Sequence, residues 1–374
     1  MIPVNEPVIG EKEKAYVAEC LDTGWISSEG RFIPEFEKGF ANYCGRKFGT
    51  AVNNGTNALI AALRALNLPK GSKVIIPTFT IISCALACIY NDLVPVFVDS
   101  ESETWNMDIN KIEERIDDKT KALMAVHIYG HPLDMDKITN LAREYSLYVI
   151  EDFAEAIGSQ YRKKRCGGFG DISCASFYAN KTITTGEGGI CLTDDPGIAV
   201  KLQGIRNLCF QPHSRFVHEE PGFNFRITNI QAAIGLAQLE RIDERVKKKI
   251  ETGQTYNRLL NELQEKEILQ LPVEKPWAKN IYWMYGVVLN NKLGIKAAEI
   301  QNRLADKSVQ TRPFFYPMHL QPVFRSMPWY KKERLKVSEN LYNYGFYLPS
   351  GLALKTEDIE QVARALKEIA NGIR

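Results

Sequence analysis

Residues 121–158 read KALMAVHIYGHPLDMDKITNLAREYSLYVIEDFAEAIG. Two runs within it, KALMAVHIYG and LYVIEDF, are apolar almost throughout and do not alternate with polar residues. Between them MDKITNLAREYS carries its apolar residues at helical spacing. Strands this apolar need cover on both faces, so the stretch predicts strand, helix and strand in a mostly parallel sheet. The second strand delivers Glu151, Asp152 and, just beyond, Glu155. Ligands of open α/β sheets sit outside the carboxyl ends of the strands.

The same texture extends in both directions. KVIIPT (73–78), VPVFVDS (94–100), CASFYA (174–179) and GICLTDD (189–195) read as further strands, and GTNALIAALRAL (55–66) and IPEFEKGFANYCG (33–45) as helices. The longest apolar stretch, VIIPTFTIISCALACIY (74–90), is interrupted by Pro77 and falls short of the roughly 20 residues of a bilayer span, so it reads as a strand followed by a buried helix. One long helical pattern runs from Asn229 to Leu263. Beyond it IYWMYGVVL (281–289) reads as a strand, KAAEIQNRLAD (296–306) as a helix, and EDIEQVARALKEIANGI (357–373) as a closing helix. The expected organisation is a large α/β unit over residues 1–245, N-terminal segment included, and a smaller α+β unit over 246–374.

Composition narrows the function classes. Lys and Arg total 47 against 45 Asp and Glu, a formal charge of +2 that suggests neither nucleic acid nor an anionic membrane as partner. The basic run RVKKKI (245–250) reads as a solvated helix face. No signal or transit pattern opens the chain, so a cytoplasmic protein is expected. Eight scattered cysteines form no C-x-x-C pair and read as buried free thiols rather than a zinc site. CGGFGDIS (166–173) lacks the spacing of a dinucleotide fingerprint and precedes a strand. His127 and His131 leave a strand for a loop, where packing and turn roles are expected over metal binding.

Three features remain. Gly55 and Thr56 stand at a helix start, where backbone N–H groups bind anions. Asp152 ends a strand. SFYANK (176–181) brings Ser176, Asn180 and Lys181 to another strand end. Taken singly, each has a plainer reading: a helix cap, the partner of a structural arginine, a surface charge. Together they offer what a pyridine-aldehyde cofactor needs: a cup for its phosphate, a carboxylate for its ring nitrogen and an amine for its aldehyde.

The ordered stretches NNGTNALIAALRAL, VIIPTFT, VPVFVDSESETWNMD, VIEDFAEAIGS, GGFGDISCASF, NKTITTGEGG and FNFRITNIQAAIGLAQL resemble the DegT/DnrJ/EryC1/StrS family of pyridoxal-phosphate-dependent sugar aminotransferases. The resemblance runs from GWISSEG near residue 24 to RPFFYPMHLQP near residue 312. It implies a type I aminotransferase fold, pyridoxal 5'-phosphate as cofactor and a homodimer with active sites shared between subunits. By the same resemblance, Lys181 bonds the cofactor aldehyde, Asp152 partners the pyridine nitrogen, and Gly55, Thr56 and Ser176 hold the phosphate. Asn224 reaches the phosphate of the neighbouring subunit, with Asn229 a rival, and Arg312 and His319 lie in a segment that contributes to the sugar site. The substrates implied are L-glutamate and a nucleotide-linked keto sugar, with the subgroup that aminates C4 of a GDP-linked 4-keto-6-deoxymannose for surface polysaccharide the nearest match.

Alternatives are a dTDP- or UDP-linked 4-keto or 3-keto sugar, a dehydratase, which carries His where Lys181 stands, and a non-enzymatic relative. Two departures bear on the cofactor site. Glu155 stands where many members have Gln, and Ile81 where many stack an aromatic ring on the cofactor. A carboxylate near the cofactor's phenolic oxygen would repel it unless protonated or turned away. Ile81 leaves apolar cover without a π-face.

Overall fold

A computed structural model describes residues 1–211 and 213–372. Its centre is a seven-stranded sheet in the order β1-β9-β8-β5-β4-β2-β3. The strands are β1 (Phe48–Val52), β2 (Lys73–Pro77), β3 (Val94–Val98), β4 (Thr120–Val126), β5 (Tyr148–Asp152), β8 (Ile172–Ser176) and β9 (Gly189–Thr193). The neighbours from β3 through β8 pair in parallel, and β9 runs antiparallel to both β8 and β1.

Period-two burial explains why these strands are apolar throughout. Val74, Ile76, Met124 and Ile150 enter the core on one face, and Ile75, Leu123, Ala125 and Val149 the core on the other. The first face is covered by α2 (Phe32–Cys44), α3 (Gly55–Ala65) and α4 (Ser83–Ile89), and the second by α5 (Met135–Glu144). α1 (Glu11–Thr23) and α6 (Pro196–Arg206) complete the helices before residue 229. β6 (Gln160–Tyr161) and β7 (Lys164–Arg165) form a hairpin that pairs with β11 (Ala278–Lys279).

The helical pattern from Asn229 forms two helices, α7 (Asn229–Leu239) and α8 (Ile242–Glu265). Arg241 leaves helical geometry between them, at φ −120° and ψ 19°. No Gly or Pro marks that break. α8 spans two cores: Ile242 and Val246 pack with the sheet helices, while Tyr256, Leu260 and Leu263 pack with the C-terminal elements. The expected division at 245/246 therefore falls inside a continuous helix. Ile2 also bridges to Val309 and packs in the C-terminal core.

The C-terminal part is an antiparallel sheet in the order β10-β12-β14-β13, formed by β10 (Leu269–Gln270), β12 (Tyr285–Leu289), β13 (Arg312–Pro313) and β14 (Gly345–Leu348). It packs with α9 (Ala297–Asp306), α10 (Lys336–Tyr344) and α11 (Thr356–Asn371). The predicted strand 281–289 shortens to β12, and Ile373 of the predicted closing helix lies outside the described residues.

The basic run 245–250 corrects the sequence reading. Lys247 is exposed, but Arg245 and Lys249 are buried. Arg245 pairs with buried Glu13 at 3.1 Å, and Lys249 donates to two backbone carbonyls. All eight cysteines are buried and unpaired. No described helix is long and apolar enough to cross a membrane.

Candidate active site

Parallel register sets the floor of the site. Val126 lies beside Asp152, and Asp152 beside Cys174, so three strand ends stand level. Above them opens a cleft of about 390 Å³. Gly55, Thr56, Ile81, Asp152, Glu155, Ser176 and Lys181 all line it. The chain thus brings together seven of the ten predicted site residues.

α3 brings its N-terminus to one wall. Asn54 caps it, accepting the Asn57 N–H at 2.8 Å. Gly55 and Thr56 are its first two residues, and their N–H groups have no acceptor within the helix. A Cβ on Gly55 would stand 2.6 Å from the Ser176 Cβ, so only glycine lets α3 approach the end of β8 this closely. The Thr56 and Ser83 hydroxyls meet at 2.7 Å, and both residues line the cleft. A helix N-terminus ringed by three hydroxyls is a cradle for an anion.

Asp152 stands on the floor of the cleft, at the end of β5. Its Oδ1 accepts the Ala154 N–H at 3.0 Å, and its Oδ2 accepts the Cys84 thiol at 3.6 Å. Burial pushes its carboxyl above the usual range, against the pull of the Ala154 N–H and Lys181. The Lys181 Nζ lies 3.8 Å from the centre of the Trp283 ring. Burial pushes that amine below the ordinary lysine range, opposed by the charges of Glu155 and Asp152.

Glu155 accepts the Tyr129 N–H at 2.9 Å. Burial raises its carboxyl from 4.5 to about 7, and Asp152 adds to the effect while Lys181 and the Tyr129 N–H oppose it. The native chain therefore holds a proton between 4.5 and about 7 that the unfolded chain has released, and its stability falls as pH rises through that window. Glu155→Gln keeps an acceptor for Tyr129. It is expected to flatten that slope and to stabilise the cofactor-free chain near pH 8 by about 2–3 kcal/mol. Urea unfolding at both ends of the window measures this; an unchanged slope refutes it.

Three predicted residues lie elsewhere. His319 is 0% exposed, with its Nδ1 at 2.7 Å from the Thr78 hydroxyl and its Nε2 at 3.3 Å from Glu339. It does not line the cleft of its own chain, and its ring fastens the 318–320 turn to Thr78, just beyond β2. Arg312 is exposed on β13, beside Tyr347, which does line the cleft. Asn224 is exposed, bridges to Asn207 and lies outside the cleft of its own chain. Its rival Asn229 is buried and spent, accepting the Phe32 N–H at 3.1 Å and donating to the Trp25 carbonyl at 2.7 Å.

Glu151 and the two histidines are structural. Glu151 accepts N–H groups of Gly167 (2.7 Å) and Phe169 (2.8 Å), the Ser173 hydroxyl (2.9 Å) and, at 3.0 Å, His127 Nε2. The other nitrogen of His127 accepts the Leu133 N–H at 3.0 Å. Although His127, Glu151 and Cys166 cluster, the first two have no lone pair left over for a metal. His131 binds the Pro132 carbonyl and accepts the Lys275 N–H, and burial lowers it to about 4.

One wall has no counterpart in the sequence reading. Tyr129, Trp283, Phe315 and Tyr347 pack around one another, with ring centres 5.5 to 6.3 Å from that of Tyr129. Tyr129 takes φ +51°, a backbone state that a bulky residue rarely adopts. Three of these four rings come from beyond residue 280, and only tertiary structure brings them to the cleft.

Comparison with known proteins agrees with this architecture. The chain is 42% identical to GDP-perosamine synthase of Escherichia coli O157:H7 over 98% of both chains. It is also 42% identical to GDP-perosamine synthase of Caulobacter vibrioides, again over 98% of both. Its fold matches S. venezuelae DesV, solved in complex with a ketimine intermediate, with a TM-score of 0.89 and 30% identity over 96% of this chain and 94% of that one. Residues 7–367 match the model of one family, and the chain belongs to it: the DegT/DnrJ/EryC1/StrS aminotransferase family.

Proposed function

We propose that the chain transfers the amino group of L-glutamate to C4 of GDP-4-keto-6-deoxymannose, giving GDP-perosamine, with pyridoxal 5'-phosphate as cofactor. One observation carries this reading: an amine, a carboxylate and a helix N-terminus line a single cleft. The cleft residues fit the cofactor. The space that Gly55 leaves open beside Ser176 and the free N–H groups of α3 suit a phosphate. Asp152, poorly compensated among buried neighbours, suits a protonated ring nitrogen. When bound, the cofactor supplies an aldehyde that takes up and returns the amino group, and a ring that accepts electrons.

The chain's own residues do the rest. Lys181 carries protons at its Nζ, its affinity for them lowered by burial. Asp152 keeps the ring nitrogen charged. Ile81, 45% exposed at the mouth, gives apolar cover, and the aromatic wall keeps water from the reacting atoms. Exposed Asn224 reaches the cleft of a second copy in a homodimer. The named relatives supply the GDP-linked sugar, and a cytoplasmic enzyme accords with a nucleotide-sugar substrate.

The test is a panel of GDP-, dTDP- and UDP-linked 4-keto-6-deoxy sugars with L-glutamate as donor. The GDP-linked sugar is expected to be aminated with the highest kcat/KM. A higher value for another nucleotide would overturn the substrate assignment, and a deoxygenated product would overturn the reaction.

A further inference from the structure

Lys249 is a buried lysine whose setting asks for an explanation. Its Nζ donates to the carbonyls of Trp283, at 2.6 Å, and Ser350, and no described carboxylate pairs with it. Burial lowers its amine to about 7, and a buried amine held only by carbonyls is costly where an apolar residue would pack more cheaply. What the amine holds is the backbone of Trp283. At its other end the Trp283 indole N–H donates to the Asn180 carbonyl at 2.9 Å. Asn180 immediately precedes Lys181. Just before Trp283, Tyr282 takes φ +51°, with its N–H held by Asn280 at 2.7 Å. The indole is thus fastened at both ends and approached through a constrained backbone.

The ring so fixed presents its face to Lys181, with Nζ 3.8 Å from the centroid, well inside the roughly 6 Å reach of a cation–π contact. Trp283 is only 5% exposed, so little water competes for the ammonium. We infer that the Trp283 ring face is the resting place of the Lys181 ammonium whenever that amine is not bonded to the cofactor, and that Asn180 and Lys249 hold the ring in position. The inference rests on the reading of Lys181 as the reacting amine. Trp283 acts as a positioning residue: it keeps the released amine inside the cleft and favours its charged form.

Other groups also act on Lys181. Asp152 from β5, Glu155 from the turn after it and Cys84 from α4 favour its charged form. Glu187 and the phenols of Tyr129, Tyr178 and Tyr347 line the same cleft. Substitution of Trp283 by Leu or Phe keeps these groups but also removes the indole N–H bond to Asn180, so a fluorinated tryptophan series, which keeps that bond, isolates the ring face.

The test reads the pH at which Lys181 becomes reactive. The full chain, both without cofactor and carrying pyridoxamine 5'-phosphate, is pulsed with acetic anhydride, and modification of the Lys181 peptide is followed by mass spectrometry. Trp283→Leu is expected to move the midpoint downward by about 0.5–1.5 pH units. Trp283→Phe, which keeps an aromatic face, should recover at least half of that shift. Because leucine also leaves space for water, fluorinated tryptophans placed at position 283 provide a second measurement at nearly constant volume. The midpoint should fall as fluorines weaken the π-face. An unmoved or raised midpoint across the fluorinated series overturns the inference, whatever the leucine variant does. Failure of the chain to take up cofactor would sink the functional reading instead, and the cofactor-free arm would still decide the role of Trp283.

Discussion

Lys181→Ala should lose turnover by about 10⁴-fold or more while still taking up pyridoxal 5'-phosphate. The cleft offers no other amine among its lining residues. The anion cradle at Gly55, Thr56 and Ser176 is built from α3 and the end of β8 and uses no atom of the lysine side chain, so binding and chemistry should separate. Two measurements test this together. Borohydride followed by denaturation should leave cofactor attached to the wild-type chain and release it from the variant. The rate of 2-oxoglutarate formation from glutamate should collapse in the variant, and added small primary amines should restore part of it by carrying the proton that Lys181 carried. Turnover near wild type, or cofactor still fixed by borohydride, would remove Lys181 from its proposed role.

The sheet was legible in the sequence because its strands are buried on both faces. Residues that face opposite cores, such as Ile75 and Ile76, are then both apolar, and continuous runs such as KVIIPT stand out. The strand-end residues were legible for a related reason. Polar side chains such as Asp152 and Lys181 closely follow apolar runs, and the parallel topology carries those ends to one side. β1 was missed because FGTAV has no continuous apolar run and only its last three residues are buried. The break at Arg241 was missed because the apolar spacing continues across it without Gly or Pro. Lys249 was misread because charge runs are usually solvated, and nothing local reveals carbonyls that approach from Trp283 and Ser350. The aromatic wall was invisible for the same reason. Tyr129 and Trp283 are far apart in sequence and meet only when the segment leading into β12 packs against the turn that follows β4.

The Asp152→Asn variant joins two effects that ordinarily vary independently. Asp152 is buried, and its nearest partners are one backbone N–H and a thiol, so in the empty chain its negative charge is weakly compensated. Burial accordingly raises its carboxyl above the ordinary 3.8. A carboxyl raised in the native state binds a proton that the unfolded chain has lost, so it costs stability as pH rises above the unfolded value. Asparagine has the same shape and no charge. The variant without cofactor should therefore unfold at a higher urea concentration than wild type near pH 8, and the difference should shrink toward pH 4. Catalysis should move the other way. A neutral amide cannot hold a positive charge on the ring nitrogen, and kcat should fall by about 10²–10³-fold. The KM for glutamate should change far less. Asp152→Glu should not restore the rate, because the register with Val126 and Cys174 fixes the depth of the strand end and an added methylene displaces the carboxylate. A stabilised but inactive Asp152→Asn chain would mean that a charge unfavourable to the empty fold is kept for the cation it meets there. An unstabilised or fully active one would mean that Asp152 serves the fold rather than the reaction.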